Sequence, residues 1–91
     1  MRFILKNSRE NILSLARKAG YYALRDSFVR PLERSGYPRF HLYVKQEKDD
    51  LIFSLHLDQK RPVYKGVSAH AGEYEGKVVE QEAERIKQSL E

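Results

Sequence analysis

The chain has 91 residues, 41% hydrophobic and 33% charged, with no cysteine and a formal charge of +4. That length holds one core, so a single domain over residues 1–91 is expected, and the lack of cysteine excludes disulfides, thiolate metal sites and thiol catalysis. The N-terminal MRFILK is too short in apolar residues for a secretory signal, and the run of roughly 18 apolar residues that a membrane helix needs does not occur, so the expected location is cytoplasmic with no membrane partner. The charge is unevenly placed. Residues 1–65 carry 14 Lys/Arg against 7 Asp/Glu and residues 66–91 carry 3 against 6, a basic body with an acidic C-terminal segment.

In chain order, Phe3, Ile4 and Leu5 fit either a short strand or a hydrophobic arm on the core. Asn7 with Glu10 three residues later fits a capping box, and Ile12, Leu15, Ala16 and Ala19 recur at i, i+3, i+4 and i+7 before Gly20, which predicts a helix over 8–19. Tyr21 to Leu32 is aromatic and apolar, interrupted at Arg25-Asp26-Ser27 and stopped by Pro31, the pattern of one irregular edge strand. Ser35-Gly36-Tyr37-Pro38 reads as a turn.

Residues 39–45 then alternate, with Phe40, Leu42 and Val44 on one face and Arg39, His41, Tyr43 and Lys45 on the other. After the charged turn 46–50, Leu51, Phe53, Leu55 and Leu57 alternate with Ile52, Ser54, His56 and Asp58. The two runs make a hairpin. Residues 59–76 have no period and contain Pro62, Gly66, Gly72 and Gly76, a loop by pattern. Val79, Ala83, Ile86 and Leu90 define a last amphipathic helix over 77–90. The resulting fold class is α+β, a two-layer sandwich of a three-stranded antiparallel sheet with two helices on one face in the order α-β-β-β-α.

The hairpin constrains the chemistry. Sharing a core side forces His41 and His56 onto the same opposite face, directly paired or diagonal, within about 4.5–8 Å. Arg39, Tyr43, Lys45, Ser54 and Asp58 surround them. Three readings compete for this patch. It is the ordinary polar face of a half-exposed sheet; or it binds RNA, with His41 or His56 as catalytic acid and base, Arg39 and Lys45 holding phosphate and Tyr43 stacking a base; or His41 and His56 join a residue of the long loop, such as His70 or Glu73, around a metal ion. The loop segment 69–76 has its own polar candidates in His70, Glu73, Tyr74 and Glu75, which equally suit packing the loop or complementing the last helix.

The element order, a histidine in the middle strand and the His70-Ala71-Gly72 turn before the last helix resemble the double-stranded-RNA-binding-domain-like (dsRBD-like) fold of the HicA family of mRNA-interferase toxins. The resemblance implies RNA cleavage assigned to a strand histidine that follows a Gly-Ser pair, a place His41 fills only at a distance from Ser35-Gly36. The strings FVRPLERSGYPRFHLYV, LHLDQK and HAGEYEG are similar to those of small bacterial proteins, a likeness that implies no function. Expected, then, is an RNA-binding domain with possible partner strands of RNA, no cofactor and no committed metal ligands. The alternatives are a protein-interaction module docking through its sheet or acidic helix, and a histidine-based metal-binding domain.

Overall fold

The computed structural model describes residues 1–8, 10–59, 72–73 and 76–90. Its elements are β1 (Arg2–Leu5), α1 (Ile12–Lys18), β2 (Tyr22–Leu24), β3 (Ser27–Pro31), β4 (Arg39–Glu47), β5 (Asp50–Asp58), β6 (Gly72–Glu73) and α2 (Lys77–Ser89). The strands join one antiparallel sheet in the order β1-β5-β4-β3-β2, with β6 also pairing with β5.

The alternating apolar runs fix the centre. Leu42 pairs with Leu55, Val44 with Phe53 and His41 with His56, so the alternating apolar sets Phe40/Leu42/Val44 and Leu51/Phe53/Leu55/Leu57 fall on one face, while Ile52 falls on the other with Lys45. Phe40, Leu42, Leu51, Phe53, Leu55 and Leu57 are buried in one cluster with Leu15, Ala16 and Ala19 of the first helical segment and Val79, Ala83 and Ile86 of α2. Each fully buried side chain of this size contributes roughly 1.5–3 kcal/mol of transfer free energy.

The three-stranded, dsRBD-like α-β-β-β-α sandwich expected from the sequence is therefore corrected, since among the described residues the sheet has six strands and begins before the first helix. Three local causes account for the difference. Phe3-Ile4-Leu5 is a strand because β5 is a long central strand with an outer edge to fill; β1 pairs along Leu51 to Ser54 and β6 along Leu57 and Asp58 of that same edge. The expected single strand from Tyr21 to Leu32 is a β2–β3 hairpin, with Leu24 opposite Ser27 and the interrupting Arg25-Asp26 as its two-residue turn. Arg25 turns the chain at φ 54, a left-handed conformation uncommon outside Gly and Asn, so the residue gives no warning of the turn. Lastly, Gly72–Glu73 is a short strand inside the stretch read as loop; the rest of 59–76 beyond Gln59, apart from Gly76, lies outside the described residues.

Both helices are shifted slightly from expectation. Helix α1 starts at Ile12, because Asn11 rather than Asn7 caps it, its side chain accepting from the Ser14 amide at 3.0 Å. Asn7 instead turns at φ 55, and the neighbouring Ser8 amide donates to the Asp49 carbonyl at 2.7 Å, tying the end of β1 to the β4–β5 turn. Gly20, at φ 92, ends the helix as its position implies. Helix α2 brings a carboxylate into the apolar layer. Glu82 accepts from the Tyr21 hydroxyl at 2.5 Å, from Arg30 Nε and Nη2 at 3.0 and 2.9 Å and from Arg85 Nε at 2.8 Å, so its buried charge is fully partnered. No helix among the described residues is long and apolar enough to cross a membrane.

Candidate functional site

On the sheet face opposite the core cluster, cross-strand pairing lays the side chains in rows. Val29, His41 and His56 form one row, Tyr43, Ser54 and Arg2 the next, and Arg39 with Asp58 a third. Successive residues of a strand point to opposite faces, so this set follows from the same register that buries Leu42 and Leu55. The face is not the open solvated surface a half-exposed sheet would give. Val29 is 1% exposed and Ser27 is buried, and the side chains of His41 and His56 keep only 14% and 13% of their accessible surface.

Asp58 joins the two histidines. Its Oδ2 lies 3.2 Å from His41 Nδ1 and its Oδ1 lies 2.9 Å from His56 Nε2. Arg39 donates from Nε to the same Oδ2 at 3.2 Å, and its guanidinium stacks over the Tyr37 ring at 4.6 Å. Arg39, expected to hold phosphate, is thus turned toward a carboxylate. The other ring nitrogen of His41 meets Ser27: Nε2 and Oγ are 2.6 Å apart, while Ser27 Oγ donates to the Leu24 carbonyl at 3.0 Å. Ser27 Oγ thus bridges the Leu24 carbonyl and His41 Nε2, and the tautomer of the imidazole sets which of the two contacts its single proton serves. Burial lowers the His41 pKa below its ordinary value, outweighing the opposing pull of the Asp58 carboxylate, and the nearby His56 and Arg39 act in the same downward direction.

Ser27, His41 and Asp58 fall in the order of a hydrolytic triad, yet the arrangement does not make Ser27 a nucleophile. Ser27 is buried and its hydroxyl also meets the Leu24 carbonyl at 3.0 Å, whereas a triad serine stands open to substrate with its hydroxyl free to serve the histidine alone. Ser27 is a positioning group for the His41 ring.

Tyr43 is the exposed member of the site, at 44%. Its ring stacks on His41 at 4.6 Å between centroids and lies 6.0 Å from His56. A hollow opens on either side of it. One, of about 500 Å³, is lined by Met1, Arg2, Tyr43, Ser54, Leu55 and His56. The other, of about 450 Å³, involves Arg25, Asp26, Ser27, Arg39 and His41 beside the same tyrosine. Lys45 extends into solvent one row further along.

The sequence-derived site residues Arg39, His41, Tyr43, Lys45 and His56 thus lie on one face, and His41 and His56 are direct partners. Of the loop residues named as possible third metal ligands, His70 and the side chain of Glu73 lie outside the described residues, as do Tyr74 and Glu75. Two residues were missed in their roles. Asp58 was legible as the third point of a His-x-Asp spacing on one strand, where i and i+2 share a face; Ser27 was not, because it lies in the interruption misread as a break in a single strand. Arg2 carries no sequence signal of its place, because Phe3-Ile4-Leu5 fits a strand or an arm equally well.

The fold and the face together describe an α+β domain with a half-buried His-His-Asp cluster beneath an exposed tyrosine. No family model, curated protein or solved structure matches the chain.

Proposed function

We propose that this face binds single-stranded RNA, with Tyr43 as the stacking platform. The observation that carries the reading is the placement of Tyr43: an exposed ring, backed by His41, with a hollow at each side edged by Arg2 on one and Arg25 on the other. Stacking on an aromatic face needs an unpaired base, and backbone cations beside it follow the phosphates. The excess of basic residues over positions 1–65 supplies a favourable field. Arg2, Arg25 and Lys45 hold the strand, while Arg39 acts mainly by fixing Asp58. Cleavage is not part of this reading.

Anisotropy of a labelled oligoribonucleotide, measured in EDTA over a salt series, tests the proposal. Three phosphate contacts give a slope of log affinity on log salt of about −2. Tyr43→Ala should weaken binding by about 1–3 kcal/mol, and the bound strand should be recovered uncut. Absence of binding at low salt, or unchanged affinity in Tyr43→Ala, would overturn it.

A further inference from the structure

Asp58 stands between the two histidines. Its Oδ2 lies 3.2 Å from His41 Nδ1 and also accepts from Arg39 Nε, while its Oδ1 lies 2.9 Å from His56 Nε2. Two imidazole nitrogens thus converge on one carboxylate, with Ser27 Oγ 2.6 Å from the far nitrogen of His41. Imidazole nitrogens and a carboxylate oxygen gathered at one point are the donors that a first-row metal ion takes.

We propose that His41 Nδ1, His56 Nε2 and a carboxylate oxygen of Asp58 form a binding site for a divalent first-row transition metal ion, of which zinc is the natural probe. One ligand atom from each of these three residues lies within 4.8 Å of the others. Zinc bonds of about 2.0–2.1 Å in a tetrahedron place ligand atoms about 3.4 Å apart. The widest pair therefore closes by about 1.4 Å, which small rotations of the imidazoles and carboxylate supply. The donor set, two imidazoles and one carboxylate without thiolate, suits zinc and its first-row neighbours rather than calcium or magnesium.

The surroundings are those of a ligand site. Metal-bound imidazoles usually give their other N–H to an acceptor that sets tautomer and ring orientation, and the His41–Ser27–Leu24 chain does this. A carboxylate that gives Oδ1 to the ion keeps Oδ2 for Arg39. The guanidinium opposes the ion's charge, but it also holds the carboxylate in place. All three ligands stand on the paired strands β4 and β5, so the frame is rigid. Three protein ligands leave at least one coordination position open, and the hollows beside His41 and His56 give water or an oxygen-bearing ligand a route to it.

This inference does not depend on nucleic-acid binding, and its test uses none. The full chain, in a non-chelating buffer near neutral pH, is titrated with zinc chloride by calorimetry and with cobalt(II) by visible absorption. One equivalent should bind with micromolar or better affinity, and cobalt should give the ligand-field bands of a low-coordinate N/O site. His56→Ala and Asp58→Asn should lose uptake and bands. Ser27→Ala should still bind one equivalent, with affinity lower by about 10–100-fold. Because a damaged fold would mimic a lost site, circular dichroism accompanies each variant, and long-range ¹H–¹⁵N spectra of the unmodified protein record which ring nitrogens zinc shifts. Shifts at His41 Nδ1 and His56 Nε2 support the site. No uptake by the unmodified chain, equal affinity in folded Asp58→Asn, or shifts confined to His70 would overturn it.

Discussion

Glu82 is 3% exposed and ionised, held by Tyr21, Arg30 and Arg85. Burial by itself would raise its pKa, but the hydrogen bonds from Arg85, Arg30 and Tyr21 outweigh that and hold it at about 2. With a folded value below the unfolded one, the carboxylate stabilises the fold above the ordinary carboxylate range, and the contribution is lost as pH falls from about 4.5 toward 2. The full effect is about 3 kcal/mol, from a pKa difference of roughly 2.5 at about 1.4 kcal/mol per unit. Urea unfolding of the unmodified chain should lose stability steeply over that window, and Glu82→Gln should flatten the profile. Glu82→Ala, which strands two guanidinium groups, should cost about 3–5 kcal/mol at neutral pH. A second residue-scale contrast separates the two faces of β4. Phe40→Ala removes a core side chain and should cost about 3–5 kcal/mol. His41→Ala should cost about 1–3 kcal/mol, because the ring is half-buried and its loss takes one hydrogen-bond partner from each of Ser27 and Asp58. A freely solvated histidine, as the alternation alone implies, would cost no more than about 0.5 kcal/mol.

The element boundaries show where local signals mislead. Both Asn7 and Asn11 are eligible caps, and the sequence favours Asn7 because Glu10 follows at the capping-box position. The structure uses Asn11, since Asn7 is needed at φ 55 to bring Ser8 against the β4–β5 turn. Asn11→Ala should therefore cost about 0.5–2 kcal/mol, while Glu10→Ala should change stability by less than about 0.5 kcal/mol; thermal unfolding of the two variants decides between the caps. The β4–β5 register needed no such choice. Four apolar residues at alternate positions on one strand and three on the other admit few slips that keep all of them buried. The β2–β3 hairpin was illegible for the opposite reason. Its turn residues, Arg25-Asp26, lack the Asn-Gly or Asp-Gly signature, and β2 has no clear alternation, with Tyr22 and Ala23 both exposed.

At the scale of the whole molecule, β5 is the organising strand. It pairs with β4 along its full length, with β1 and β6 on the other edge, and its inward residues meet both helices. Phe3 of β1 lies directly opposite Phe53, the rings nearly parallel at 4.7 Å between centroids. Phe3→Ala should cost about 3 kcal/mol and should speed hydrogen exchange at the β5 amides facing β1 before those facing β4, measurable by NMR. The sequence by itself determined the β4–β5 hairpin and its register, the shared face of His41 and His56, and the existence of α1 and α2, because each follows from the period of neighbouring apolar residues. Only the tertiary structure decided that the N-terminal run becomes an edge strand, that Asp58 links the histidines, that Ser27 orients His41 and that Glu82 is buried among cations. Those outcomes depend on pairs 14 to 61 residues apart in the chain, such as Ser27 with His41 and Tyr21 with Glu82. Local periodicity records which face a side chain takes; it carries no information on which distant group meets it there.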